Sequence, residues 1–197
     1  MILAYHVTIS CYGFWLPNEE RGSWSTFVHS YELAIFGDIN PANTPRSLAG
    51  NPYDHDKKKA MQAALMYPPV ILTGHQAVTI ARGFQFRAEA SGIPIYACAI
   101  MPDHIHLVLG RFRYKAEQMV NLLKGSATIQ LNKENRHPLA EYVDSHGSTP
   151  TPFAKGLWKV FLDSPEDVRR AIRYDENNPV RAGLKPQVWD FVQPYDG

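Results

Sequence analysis

Residues 93–110 read IPIYACAIMPDHIHLVLG, and the reading of this stretch decides the fold. Two apolar runs, 93–100 and 104–109, are joined across Met101-Pro102-Asp103, and Gly110 closes the second. Short apolar runs punctuated by proline and glycine are strand signals, so a β-hairpin is expected here. Its second strand carries His104 and His106. Successive side chains of a strand point to opposite faces, so the two imidazoles share one face and Ile105 takes the other. Two imidazoles side by side on a rigid strand make half of a divalent-metal site. Taken alone, the pair fits equally well a strand face that happens to carry two histidines.

Just before the hairpin, residues 74–90 put Val78, Ala81, Phe84 (or Phe86) and Ala88 near helical spacing, and Ser91-Gly92 supplies a stop. After it, residues 114–133 form an amphipathic helix with Met119, Leu122, Leu123, Ile129 and Leu131 as the expected apolar side. Residues 137–152 read as a polar linker, and 157–162 as a short strand with Trp158 and Phe161 in the core. Ser164-Pro165-Glu166-Asp167 is a helix start, with Ser at the N-cap, Pro at N1 and Asp167 in the capping-box position. That helix is expected over 166–177, ending near Asn178-Pro179 because the residue before a proline disfavours helical backbone.

At the N-terminal end, residues 2–15 are rich in β-branched and aromatic residues and read as a first strand. Residues 16–69 are broken by Pro17, Pro41, Pro45, Pro52 and Pro68-Pro69, and form a long irregular insertion with one short helix near 57–66. The order strand, insertion, helix, strand, strand, helix, strand, helix contains βαββαβ. That is the ferredoxin-like α+β plan, an antiparallel sheet with helices on one face and the other face open to a ligand.

The 197 residues suit a single domain, and the apolar and charged fractions, 45% and 20%, are those of a globular chain. Lys+Arg 20 against Asp+Glu 19 decides nothing about nucleic acid, because a basic face can hide in a neutral total. Cys11 and Cys98 read as small buried hydrophobes. The N-terminus lacks a signal peptide, and no apolar segment approaches the ~20 residues of a membrane span, so a cytoplasmic protein is expected.

In the last helix Tyr174 and Asn178 are four apart and share a face, followed by Pro179-Val180-Arg181-Ala182-Gly183-Leu184. On helical statistics such a tyrosine is more often a packing residue. Combined, however, Met101-Pro102-Asp103-His104-Ile105-His106-Leu107-Val108 and the segment from Ala171 to Leu184 (AIRYDENNPVRAGL) resemble the HUH single-tyrosine transposases, closest to the REP-associated (IS200-like) branch. The likeness runs over roughly 93–184 and takes in the first strand, whereas the insertion at 16–69 does not match the compact members.

The resemblance implies that His104 and His106 bind Mg²⁺ or Mn²⁺, with Asn178 as the third protein ligand. It implies that Tyr174 is the nucleophile, forming a 5′-phosphotyrosine linkage and releasing a 3′-hydroxyl. Single-stranded DNA beside a hairpin would be the substrate, and the protein a monomer or homodimer. A phenol of pKa near 10 needs such help at neutral pH. Arg111, Arg113, Lys115 and Lys124, with Lys133, are candidates for a phosphate-binding rim or simply a solvated helix face. Trp15, Arg21, Trp24 and Phe27 are candidates for base stacking or for a satellite core. His6, His29, His55, His75, His137 and His146 show no ligand spacing and receive no role. Two alternatives to the transposase reading stay open: a catalytically weak binder of hairpin or single-stranded nucleic acid, and a metal-dependent phosphoesterase.

Overall fold

The computed structural model describes residues 1–14 and 55–197. Trp15, Arg21, Trp24, Phe27 and His29, with most of the insertion, lie outside the described residues. In chain order the elements are β1 (Ala4–Ser10), α1 (His55–Ala63), α2 (Gly74–Ser91), β2 (Ile95–Ile100), β3 (His104–Gly110), α3 (Ala116–Lys133), β4 (Trp158–Leu162) and α4 (Pro165–Arg181). The expected hairpin is β2–β3. The strands form one four-stranded antiparallel sheet in the order β2-β3-β1-β4, the strand order of the ferredoxin-like plan.

Alternation along β1 and β3 divides the sheet into two unlike faces. Val7 and Ile9 of β1 and Ile105, Leu107 and Leu109 of β3 point to one side, where they pack with Ile80, Phe84 and Ala88 of α2 and Met119, Leu123, Ala127 and Leu131 of α3. Of the two phenylalanines at helical spacing, Phe84 is the core residue; Phe86, with Ile129 of α3, is exposed. The two helices approach closely because position 83 is glycine: a Cβ there would stand 2.7 Å from the Ala127 Cα. Thr73 and Gln76 close a capping box at the start of α2, and Gly92 ends the helix with left-handed backbone. Both cysteines are buried and free, as expected.

The opposite face carries His6, Thr8 and Ser10 of β1 and His104 and His106 of β3, with small apolar Ala4, Ala97 and Val108 beside them. The expectation of helices on one face holds for α2 and α3. Helix α4 is the exception: Val168 and Ala171 pack on Ala4, Ala97, Val108 and Leu162, so α4 lies across the face expected to stay open. Its start follows the sequence, with the Ser164 side chain accepting from the Asp167 amide and Pro165 in the first turn. Its end does not. The helix runs through Pro179, which is buried, and stops at Gly183 (φ 75°), where Leu184 N–H donates to the Pro179 carbonyl and Gly183 N–H to that of Val180. These two bonds make a Schellman motif, so Asn-Pro-Val-x-x-Gly-Leu is a last turn and its cap rather than a stop at the proline.

In β4, Phe161 is 53% exposed instead of core: register sets it opposite Tyr5 on the face that carries α2 and α3, but it stands on the edge strand, packed edge-on against Tyr5 with the Lys159 ammonium over its ring. The other edge, β2, is covered by the C-terminal segment: the Gln187 amide pairs with both backbone groups of Ile100, and the Trp189 indole donates to the Cys98 carbonyl.

Candidate metal and tyrosine centre

The centre lies where α4 crosses β1 and β3. Antiparallel register sets Thr8 opposite His106 and Ser10 opposite His104, which makes His6 a diagonal neighbour of His106 on the same face. The His6 and His106 rings stack at 5.4 Å between centroids, and His104 stands nearly perpendicular to His106 at 4.6 Å. Both histidines of the His-x-His pair are less than one-tenth exposed. Each is held through Nδ1, His106 to the Thr8 hydroxyl (3.1 Å) and His104 to the Asp103 carboxylate (2.6 Å). Partners of this kind fix ring orientation in metal-ligating histidines.

From above, α4 brings Tyr174 and Asp175 to the same place. The Tyr174 ring lies 5.6 Å from His106 and 5.8 Å from His6, edge-on to both, and is 44% exposed. A nucleophile needs this combination of a fixed ring and an accessible side. Asp175 is fully buried, and its Oδ1 lies 2.8 Å from His6 Nε2. Burial pushes its carboxyl above the usual range, against the smaller opposing pull of His6. Its second oxygen, Oδ2, is buried without a hydrogen-bond partner, as is the Asn178 Nδ2. Trp158 closes the side of the group against His6, at 5.6 Å.

Of the expected site residues, the fold gathers Tyr174, His104 and His106, with Asn178 on the same helix one turn beyond Tyr174. The basic rim is dispersed. Arg111, Arg113 and Lys115 are exposed beyond the far end of β3, with Arg111 about 17 Å along the strand from His106 at 3.3–3.4 Å per residue. Lys124 belongs to the interior: it is 8% exposed and its ammonium donates to the Ala154 and Gly156 carbonyls, 2.9 and 2.6 Å away. That ties α3 to the segment leading into β4, and burial lowers its pKa to about 8.

Two residues of the centre were passed over in the sequence, His6 and Asp175. With His106 they form a group of potential ligand atoms lying within 4.8 Å of one another. The signal for His6 was present: β1 alternates His6, Thr8 and Ser10 with Val7, Ile9 and Cys11, which marks a polar face to be paired with His104 and His106. Asp175 had no comparable signal, since charged residues follow Tyr174 on both faces of the helix.

The donor set of imidazoles and buried oxygens, with an unsatisfied carboxylate oxygen among them, fits a divalent cation. No curated protein matches the chain. Among solved structures it is similar to a REP-associated tyrosine transposase bound to a REP hairpin, at 11% identity and a TM-score of 0.48, covering 96% of this chain and 74% of that one. It is also similar to a suspected transposase from Deinococcus radiodurans R1, at 14% identity and a TM-score of 0.43, covering 90% of this chain and 91% of that one. A family model, described as transposase IS200-like, matches residues 66–150. The resemblance to IS200-like transposases therefore stands over 66–150, the segment that holds both histidines of the His-x-His pair.

Proposed function

We propose that the protein cleaves and rejoins single-stranded DNA through Tyr174, with a divalent cation, Mg²⁺ or Mn²⁺, held at His104, His106 and Asn178. The observation that carries the reading is the Tyr174 ring at 5.6 Å from His106, in the same chain. A phosphoesterase acting on small esters gives Tyr174 no reason to lie there.

When bound, the cation neutralises charge developing on the phosphoryl oxygens and orients the scissile group. The remaining work falls to the chain. The Tyr174 Oη attacks phosphorus in line with the departing O3′, one P–O bond forms as another breaks, and the proton lost by the phenol is balanced by the one gained at O3′. The 5′-phosphotyrosine conserves the bond energy. A 3′-hydroxyl of another strand reverses the step and joins the strands without ATP. Thr8 and Asp103 keep His106 and His104 in register through the cycle, and the open side of Tyr174 admits the DNA.

The test is an oligonucleotide carrying a hairpin with single-stranded flanks, labelled at either end and incubated with the protein and Mn²⁺. The reading expects a denaturation-resistant protein adduct on the strand whose 5′ end lies at the cut, and a free 3′-hydroxyl on the other product. A 5′-phosphate released without adduct would contradict it.

A further inference from the structure

We infer that His6 and Asp175 are themselves ligands of the cation beside His106, so that the centre takes a carboxylate from the tyrosine helix and a third imidazole from β1. The inference deepens the metal-dependent reading above and rests on it for the place of the cation.

Three observations support it. The potential ligand atoms of His6, His106 and Asp175 lie within 4.8 Å of one another, a span that one ion can bridge. The 2.8 Å separation of His6 Nε2 and Asp175 Oδ1 is close to the spacing of two adjacent ligands on one ion, about 3 Å for bonds of ~2.1 Å. A cation in that gap replaces the proton that the pair shares without its cation, and the proton leaves to solvent. Finally, Asp175 is fully buried and its Oδ2 has no hydrogen-bond partner, the condition in which a carboxylate is costly unless a cation satisfies it. Imidazole-rich sites with a carboxylate favour Mn²⁺ and later first-row ions over Mg²⁺, which prefers oxygen ligands and its own waters.

Mn²⁺ binding to the full chain without DNA tests this, read by calorimetry and by the imidazole-nitrogen couplings of bound Mn²⁺ in pulsed electron paramagnetic resonance. Asp175→Asn and His6→Gln are each expected to weaken Mn²⁺ at least about tenfold, and His6→Gln to remove one set of nitrogen couplings. Should Asp175→Asn fail to fold by circular dichroism, His6→Gln carries the test. Affinities within about twofold of wild type, with unchanged couplings, would overturn the inference. Failure of the two readings is distinguishable. Mn²⁺ held through His6 and Asp175 in a chain that forms no DNA adduct refutes strand transfer alone. An adduct formed by a chain whose Mn²⁺ ignores both substitutions refutes only the ligand assignment.

Discussion

The Tyr174 ring stands nearly perpendicular to the ring of His106, 5.6 Å between centroids, although 68 residues separate them in the chain (174 − 106). What brings them together is the small-residue floor of the sheet's polar face, where Ala4, Ala97 and Val108 let Val168 and Ala171 of α4 settle close.

The first test concerns the support of His106. Thr8→Val keeps the shape of the side chain and removes the hydroxyl at 3.1 Å from Nδ1. We expect cleavage to fall roughly 10–100-fold at limiting Mn²⁺, the usual cost of losing a ligand's hydrogen-bond partner, and to recover in large part as Mn²⁺ is raised. Rates measured across a Mn²⁺ titration check this, and a chelator should abolish cleavage in both proteins.

The second separates Lys124 from the exposed basic residues. With its ammonium on two backbone carbonyls, Lys124 cannot reach a phosphate without leaving the interior. Lys124→Met should therefore leave the salt dependence of DNA binding unchanged, whereas Arg111→Ala with Arg113→Ala should lower its slope by about 1–2. Stability is where Lys124 shows itself. Its folded pKa of about 8 lies below the ordinary 10.5, so between those values the unfolded chain holds a proton that the folded chain has shed. Stability should rise with pH across that window in the wild type and less so in Lys124→Met, as read by urea midpoints.

The third addresses the helix pair beneath the sheet. A methyl group at position 83 would meet the Ala127 backbone, which cannot yield without moving α3. Gly83→Ala is expected to cost about 1–3 kcal/mol by overpacking, more than any helix propensity it gains. Chemical denaturation measures it.

The fourth is an acid-side titration. Glu134 accepts from Gln130, Thr79, Arg82 and Arg136, and the first two bonds contribute most to holding its carboxyl at about 2 instead of 4.5. A depressed carboxyl contributes stability above its unfolded value and loses it as pH falls toward the folded one. Wild type should lose stability from about pH 4.5 down to 2, and Glu134→Gln should flatten that limb.

The fold was legible where local pattern and tertiary role agree. The hairpin around Met101-Pro102-Asp103, the cap at Ser164-Pro165 and the apolar side of α3 at Met119, Leu123 and Leu131 are all readable from spacing alone. The docking side of α4 was not, because its polar surface gives no sign that Ala171 and Val168 suffice to hold it over histidines. Pro179 was misleading for a related reason: burial of its ring and the Gly183 cap outweigh the local bias against helix before proline. In the centre, His104, His106 and Tyr174 declared themselves by motif. His6 needed the β1–β3 register, and Asp175 needed the helix to be in place.

The most direct test of the central claim is the adduct formed by Tyr174→Phe on labelled single-stranded hairpin DNA with Mn²⁺, separated under denaturing conditions. The substitution keeps the ring against His6 and His106 and removes only the hydroxyl. The account predicts that the covalent adduct disappears while non-covalent DNA binding stays within about threefold of wild type. Adduct formed by Tyr174→Phe at the wild-type level would contradict it.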